Sequence, residues 1–362
     1  MTSPAKTADV ETLFGQTRLP LICAPMFLVT YPELVLATCK ANVGAACASA
    51  SARSAEEYAN WLDQLDEDLA VYRRDTGRPT GPVAANISLR SGKSGASERF
   101  EKEVEICRSR RVPLLITING APDEIVQEVH GWGGLIFHDV TTVRHAEKAA
   151  KAGVDGMILI CAGGGGHSGR MNPFVFVQAV RKFFDGIIVL AGGIGNGAQM
   201  RAARELGADL VYMGTRFIAT KEAGAPQTYK DILLQSRSEE LVFTPFFTHG
   251  IPANMLARSI ARVGYDPRNL PDLATEAPRD DAKPWRDVWA AGQGVDLIDD
   301  LPSVAALIDR LEGEYHAAPR RSPVFGRAFP APQTGERDRK DAARHDACPD
   351  RHSPVVTRKH LP

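Results

Sequence analysis

Short apolar runs alternate with helix-like segments from Leu19 to about Phe217. The runs are LICA at 21–24, VGAACAS at 43–49, VAANIS at 83–88, LLITI at 114–118, GLIFHDV at 134–140, MILIC at 157–161, IIVLAGG at 187–193 and LVYMGT at 210–215. Nearly continuous apolar runs are typical of parallel strands that are buried on both faces. Eight strand-helix units predict an α/β fold of the (β/α)8 TIM barrel type.

A doubly wound sheet is the competing architecture. That fold normally places its glycine-rich nucleotide fingerprint directly after the first strand. Here Pro25 and Met26 follow the first apolar run, and the glycines cluster after the sixth, seventh and eighth runs. The position of the glycines therefore favours the barrel.

The alternation stops after Phe217. Residues 222–299 contain proline, aromatic residues and scattered charge, and they predict an inserted, mostly helical substrate lobe after strand 8. Val304, Leu307, Ile308 and Leu311 then recur at helical spacing, which predicts the eighth barrel helix. We thus expect the barrel to comprise residues 10–221 and 300–317, with the lobe between them. Residues 318–362 have few apolar anchors and predict a disordered tail.

Composition narrows the choice of partners and compartment. A formal net charge of -1 in 362 residues argues against nucleic acid as a partner, because phosphate binding normally requires a basic excess. No apolar run approaches the roughly 18 residues of a membrane span, so no membrane partner is expected. The six cysteines form no CxxC pair and are typical of reduced thiols. We therefore expect a cytoplasmic protein.

Candidate chemistry concentrates in CAGGGGHSG at 161–169, after the sixth run. The four consecutive glycines Gly163, Gly164, Gly165 and Gly166 lack a Cβ, so a flat or anionic ligand can approach their amides closely. His167 follows them and can exchange a proton near neutral pH. The pattern favours a flavin or phosphoester site with His167 as its acid-base group. A histidine that caps the loop or packs in the core is the alternative.

A phosphate site is indicated by the loops after the seventh and eighth strands, which commonly hold phosphate groups in barrels of this type. AGGIGNG begins at Ala191 and contains Gly192 and Gly193, and the next loop contains Gly214 and Thr215. Their backbone amides, with the Thr215 hydroxyl, could hold a dianionic phosphate.

Four stretches together resemble the nitronate monooxygenase family: PMFLVTYPELVLA, GLIFHDVTTVRHAEKAAKAGVDGMILICAGGGGHSG, IVLAGGIGNG and ADLVYMGTRFIAT. The resemblance covers about residues 15–316 and is most specific from Phe137 to Ala219. It implies FMN bound at the top of a barrel beside an inserted lobe, without covalent attachment or metal.

The resemblance also implies roles for individual residues. Ala24, Pro25 and Met26 would lie along the isoalloxazine ring, and Asn86 would hydrogen-bond its polar edge. Gly163, Gly164, Gly165 and Gly166 would approach the ring and the ribityl chain, and Gly192, Gly193, Gly214 and Thr215 would hold the phosphate. Ala191 would be a further cofactor-binding residue. Thr117 and His138, which end the fourth and fifth strands, either face the flavin or are simply packed.

His167 matches the catalytic histidine of the family, and the implied reaction is oxidation of an alkyl nitronate by O2 to a carbonyl compound and nitrite. His167 would either bind the nitro oxygens as a cation or remove the α-proton of a nitroalkane as a base. The partners are thus a small-molecule nitronate and O2, and a homodimer is the assembly to test. Phe27, Phe246, Phe247, His249 and Met255 either line an apolar substrate pocket or belong to ordinary core. Tyr31 would narrow the site.

Two rival functions remain open. An FMN-dependent NAD(P)H enoyl-thioester reductase would share the glycine-rich strand end and the histidine, so the motifs do not separate it from a nitronate oxidase. Consumption of NAD(P)H separates the two. A non-catalytic barrel in a biosynthetic complex is the third possibility, and absence of flavin from the purified protein would favour it.

Overall fold

The strands of the computed structural model, which describes residues 9–89 and 98–318, form a closed barrel and a small separate sheet. They are β1 (Leu21–Cys23), β2 (Gly44–Ala48), β3 (Val83–Ser88), β4 (Leu114–Ile118), β5 (Leu135–Val140), β6 (Gly156–Ile160), β7 (Gly166–His167), β8 (Ile187–Ala191), β9 (Leu210–Met213), β10 (Leu241–Thr244) and β11 (Ala253–Leu256). The barrel order is β1-β2-β3-β4-β5-β6-β8-β9, and all of its pairings are parallel. The predicted barrel is confirmed, and its eight strands coincide with the eight apolar runs.

The α-helices lie mainly between the barrel strands. They are α1 (Val10–Phe14), α2 (Pro32–Lys40), α3 (Ala55–Thr76), α4 (Glu98–Ser109), α5 (Asp123–Gly131), α6 (Val143–Ala152), α7 (Pro173–Arg181), α8 (Gly197–Leu206), α9 (Thr215–Ile218), α10 (Gln227–Gln235), α11 (Ala257–Arg262) and α12 (Val304–Ala317). Caps set several of these boundaries. The Ser54 side chain accepts the Glu57 N–H at the start of α3, and Gly77 ends that helix in the left-handed conformation.

Side chains inside the barrel come from alternate positions of its strands, as the two-residue period requires. Ile22, Leu114, Phe137 and Val189 belong to one buried interior cluster. Phe14 of α1 joins the same cluster and closes the N-terminal end of the barrel. The opposite, C-terminal end is left open for a ligand.

Helix α12 completes the ring of helices by packing against α8 and α2. The approach to α8 is close: a Cβ on Gly197 would come 2.3 Å from the Leu311 carbonyl oxygen. Arg18 adds an ion pair to Asp309 at 2.8 Å. The eighth helix predicted after the insert is therefore confirmed.

The insert contains the expected helices and, in addition, a small sheet that was not predicted. It contains α10 and α11, but β10 and β11 also form an antiparallel pair, and β11 pairs on its other edge with β7. Hydrogen bonding to β7 ties the insert to the glycine-rich loop after β6. The strands of this sheet are short, and β11 pairs with β7, which is distant in the sequence. The sequence therefore shows no local pattern that would have predicted the sheet.

Three further expectations concern the tail, membrane-spanning helices and metal sites. Apart from Ala318, the predicted disordered tail lies outside the described residues. Across 9–89 and 98–318, no helix combines the length and apolarity needed to cross a membrane. The same ranges contain no group of three or more His, Cys, Asp or Glu side chains arranged to hold a metal ion.

Candidate active site

A cavity of about 490 Å³ opens at the C-terminal ends of the barrel strands. Its volume falls within the range of roughly 300–1,000 Å³ that is usual for small-molecule sites. It brings together most of the predicted site residues, namely Ala24, Pro25, Met26, Asn86, Gly163, Gly164, Gly165, Gly166, His167, Ala191, Gly192, Gly193, Gly214 and Thr215. Of the residues predicted to bind the cofactor, only Thr117 is not part of the lining.

The loop after β1 forms one wall of the cavity and is fixed by Thr30. The Thr30 hydroxyl accepts the Met26 N–H at 2.9 Å and donates to the Ala24 carbonyl at 3.2 Å. Phe27 extends from this loop with 43% of its surface exposed, and it lines the cavity. The wall is thus a rigid backbone turn that carries one accessible aromatic ring.

The glycine-rich loop after β6 is held from three directions by the insert. The Gly163 carbonyl accepts the Gln293 N–H at 2.9 Å, the Gly164 carbonyl accepts from Asn254 Nδ2 at 2.7 Å, and β7 pairs with β11. A Cβ on Gly165 would lie 2.8 Å from the Gly292 nitrogen. The glycines are therefore required for packing against the insert as well as for access of a ligand.

His167 is exposed at the rim of the cavity, where it meets a tryptophan from the insert. The His167 and Trp285 rings are edge-to-face, with centroids 5.4 Å apart and an interplanar angle of 74°. Trp285 has φ of +68°, a conformation that bulky residues rarely adopt. A Cβ on Gly166 would come 3.2 Å from the Trp285 ring, so glycine there permits this arrangement.

The end of the cavity formed by the loops after β8 and β9 has the features of an anion site. Gly192 and Gly193 have φ of +112° and +74°, and a Cβ on Gly193 would meet no atom within 4 Å. The Thr215 hydroxyl accepts the Gly292 N–H at 2.9 Å, which leaves its own hydrogen to donate. Arg216 also lines the cavity, but its guanidinium is paired with Asp300 at 2.9 Å.

Thr117 lies outside the cavity, contrary to the expectation for a cofactor-binding residue. The Thr117 hydroxyl and His138 Nδ1 are 2.8 Å apart, and both side chains are buried on the outer side of the barrel wall. Burial lowers the pKa of His138 to about 4, so the ring is neutral near pH 7. This pair is a packed structural contact, which was the alternative left open for both residues.

Asp139 and Tyr212 also line the cavity, and neither residue was predicted from the sequence. Burial raises the pKa of Asp139 to about 8, and it also raises the pKa of Tyr212 well above its ordinary value. Asp139 follows His138 on β5, and the two-residue period places these neighbours on opposite faces of the strand. That period was the available signal, but it does not by itself say which of the two faces inward.

The residues considered for an apolar substrate pocket divide into one that lines the cavity and others that lie outside it. Phe27 lines the cavity, whereas Phe246, Phe247 and Met255 belong to a separate buried cluster of the insert. His249 lies on an exposed turn outside the lining. Tyr31 packs edge-to-face on Trp61, with centroids 5.8 Å apart, and does not narrow the cavity.

Comparison with known proteins agrees with this architecture. The nitronate monooxygenase of Paraburkholderia phytofirmans is 28% identical over 225 residues, which cover 56% of this chain and 61% of that protein. A (3aS,4S,5R,7aS)-5-hydroxy-7a-methyl-1-oxo-octahydro-1H-indene-4-carboxyl-CoA dehydrogenase of Rhodococcus jostii is 29% identical over 229 residues, covering 63% of this chain and 59% of that protein. The matches span about half to three fifths of the length of the first curated relatives.

A solved structure extends the likeness over nearly the whole described chain. The nitroalkane oxidase of Streptomyces ansochromogenes superposes with a TM-score of 0.69 at 25% identity, covering 85% of this chain and 98% of that one. The family model described as nitronate monooxygenase matches residues 11–314. This span includes the whole barrel, the insert and the cavity, and the chain therefore belongs to the nitronate monooxygenase family.

Proposed function

We propose that this protein is an FMN-dependent oxidoreductase that oxidises alkyl nitronates with O2 to a carbonyl compound and nitrite. The observation that carries the proposal is one cavity, at the C-terminal end of the barrel of a nitronate monooxygenase family member, that joins the glycine-rich loop to His167. Active sites of (β/α)8 enzymes lie at this end of the barrel.

The cavity lining fits FMN in both its shape and its chemistry. Ala24, Pro25 and Met26 would lie along the flat ring, and the open backbone at Gly193 with the Thr215 hydroxyl would receive the phosphate. Two buried polar atoms, Asp139 Oδ1 and Tyr212 Oη, belong to residues of the same lining and have no hydrogen-bond partner among the residues that the structure describes. Bound FMN would accept electrons from the nitronate and pass them to O2.

His167 is the group best placed to handle the negative charge of the substrate. Among the described residues of the lining, the basic side chains are His167 and Arg216, and Arg216 is engaged with Asp300. As an imidazolium, His167 would bind the nitro oxygens of a nitronate. As a neutral base, it would take the α-proton of a nitroalkane.

Phe27 and Trp285 supply apolar surface for the alkyl part of the substrate. Phe27 comes from the loop after β1 and Trp285 from the insert, so the substrate would lie between the barrel and the insert near His167. Aromatic rings hold apolar groups with little loss of side-chain entropy. Their placement favours a nitronate with an apolar substituent.

Nitrite release from a simple alkyl nitronate and from the matching neutral nitroalkane tests the proposal. We expect His167→Ala to keep its bound FMN and to lose activity on the nitroalkane by about 100-fold or more. The control is His249→Ala, because His249 lies outside the cavity. Equal nitrite release by the wild type and His167→Ala on both substrates would contradict the role given to His167. A protein that binds no flavin would contradict the whole proposal.

An FMN-dependent NAD(P)H enoyl-thioester reductase is the second candidate. The relative in Rhodococcus jostii, named as a dehydrogenase of a carboxyl-CoA compound, favours it because that name points to thioester substrates. Anaerobic mixing of the protein with NADPH separates the two candidates. Rapid bleaching of the flavin absorbance would support the reductase, and an unchanged spectrum followed by bleaching with nitronate would support the oxidase.

A further inference from the structure

Two buried polar side chains on the floor of the cavity each carry an atom that has no hydrogen-bond partner among the described residues. Asn42 Oδ1, Asp139 Oδ1 and Tyr212 Oη are the buried side-chain atoms without a hydrogen bond in the described part of the chain, and the last two belong to residues that line the cavity. Leaving such an atom unpaired costs about 1–3 kcal/mol. Both atoms therefore require a partner other than the described residues, and a ligand in the cavity can supply one.

Asp139 and Tyr212 approach the cavity from different sides. Asp139 is on β5 and Tyr212 is on β9, and β6 and β8 lie between these strands in the barrel. The two groups are close enough for the charge of Asp139 to affect the pKa of Tyr212, but they share no hydrogen bond. A flat ligand lying across the open end of the barrel could meet both.

Three other polar side chains of the lining are engaged within the protein, whereas the Thr215 hydroxyl keeps a hydrogen to donate at the phosphate end of the cavity. The Arg216 guanidinium donates to Asp300, the Tyr229 hydroxyl donates to the Ala290 carbonyl, and Asn86 Nδ2 donates to the Ile116 carbonyl. His167 lies on β7 at the rim. The floor of the cavity is therefore served chiefly by Asp139 and Tyr212.

We propose that Asp139, as a neutral acid, and Tyr212 form a pair of hydrogen-bond donors that holds the acceptor edge of the flavin ring. This inference rests on the proposed function, because it requires a flavin in the cavity. The flavin ring presents carbonyl oxygens and ring nitrogens as acceptors, and a phenol and a carboxylic acid each supply one O–H donor. The pair thereby assigns a binding role to two residues that lie far apart in the sequence.

The environment of Asp139 supports its role as a donor. Burial raises its pKa to about 8, so the carboxyl keeps its proton at neutral pH. The ionisable groups that face the same space are Tyr212 from β9, His167 from β7, Arg216 from α9 and Tyr229 from α10, and Cys23 of β1 lies close to Tyr212. Above about pH 8 Asp139 becomes a carboxylate, which can only accept hydrogen bonds and repels the oxygen edge of the ring.

Titration of FMN into the flavin-stripped full-length protein between pH 6 and pH 9 tests the donor pair. Quenching of FMN fluorescence gives the Kd at each pH. We expect the wild-type Kd to be steady near pH 6–7 and about 10-fold weaker at pH 9. Asp139→Asn keeps a donor and cannot ionise, so its Kd should not show this step. Titration of FMN itself or of His167 cancels in the comparison, because both are present in both proteins.

Tyr212→Phe removes only the hydroxyl and should weaken FMN about 3- to 10-fold at every pH while retaining the step. Its matched control is Tyr58→Phe, because the buried Tyr58 hydroxyl donates to the Cys47 carbonyl outside the cavity. The visible spectrum of bound flavin gives a second measure, since loss of a hydrogen bond to the ring should shift its absorbance bands. Circular dichroism verifies the fold of each variant, and the pH series of the wild type needs no substitution.

Different results overturn the inference and the proposed function. Persistence of the pH step in Asp139→Asn, or wild-type affinity and spectrum in Tyr212→Phe, would show that water alone pairs these groups and would overturn the donor pair. Nitronate oxidation by the same preparations would then still stand. Failure of the wild-type protein to bind FMN at any pH would overturn both.

Discussion

The unusual protonation of Asp139 has a consequence for stability that needs no ligand. In the unfolded chain an aspartate ionises near pH 3.9, whereas burial in the fold raises the pKa of Asp139 to about 8. Between these values the folded protein binds more protons than the unfolded chain, so the free energy of unfolding falls as pH rises. The stabilisation by the neutral carboxyl is complete below about pH 4 and is lost as pH rises through about 8.

The magnitude follows from the difference of about four pKa units, at 1.36 kcal/mol for each unit. The wild type should therefore lose about 5 kcal/mol between pH 4 and pH 8 through this one group, which is a large part of the 5–15 kcal/mol of an ordinary protein. Asparagine has nearly the same shape and does not titrate. The free energy of unfolding of Asp139→Asn should equal that of the wild type near pH 4. Above that pH, the difference in favour of the variant should grow by about 1.4 kcal/mol with each pH unit, up to about pH 8.

Urea unfolding of the flavin-free proteins at pH 4.5, 6, 7.5 and 9 measures this difference, after reversibility has been verified. Other titrating groups are common to both proteins and cancel. Asp63→Asn is a control of opposite sign: hydrogen bonding to Arg110 lowers the pKa of Asp63, so the wild type should be the more stable protein above pH 4 and lose that advantage as pH falls. The exposed pair makes this effect small. A constant difference between Asp139→Asn and the wild type from pH 5 to pH 8 would refute the reasoning.

Three further predictions concern the loop, the rim and the thiols. Gly292→Ala would place a Cβ 2.5 Å from the Gly163 carbonyl oxygen, so the loop must move, and we expect FMN affinity, measured by fluorescence quenching, to fall at least 10-fold; unchanged affinity would contradict this. Trp285→Leu removes the ring packed on His167 and should lower kcat/KM for nitronates about 2- to 12-fold, with FMN content retained. The five described cysteines are buried, and burial raises their pKa values. The variant Cys348→Ser keeps only these five, so it should release almost no thionitrobenzoate from an aromatic disulfide reagent until it is denatured. Fast labelling of the native variant would show that one of the five thiols is exposed.

The barrel was predictable because each of its strands can be recognised from its own local sequence. Each apolar run is bounded by turn residues and followed by a helix, so neither long-range pairing nor register was needed to count eight units. The insert offered no such repeat. Its strands, Leu241–Thr244 and Ala253–Leu256, are stabilised by pairing with each other and with Gly166–His167, which lies about 90 positions earlier. Pairing at that separation leaves no local periodicity.

The cavity lining was predicted best at positions where the course of the backbone, and not the direction of a side chain, determines whether a residue lines the cavity. Glycines at strand ends stay next to the cavity whichever way their neighbours point, and all the glycines assigned to the cofactor line it. Whether a side chain reaches the cavity depends instead on strand parity, that is, on whether its residue occupies an inward or an outward position of the strand. Thr117 and His138 were chosen by position and chemistry, but both lie on the outer face.

Parity could not be obtained from these strands because both of their faces are apolar. On β4 and β5 the outward residues pack under helices and the inward residues fill the barrel, so hydrophobicity is the same at odd and even positions. The direction is set by closure: Ile116 and Phe137 fill the interior, which carries Ile118 and Asp139 inward two residues later. A polar residue at an inward position at the open end of a barrel is not covered by the surrounding helices. It must meet the ligand, water or another interior side chain, and for Asp139 Oδ1 the described residues provide no hydrogen-bond partner.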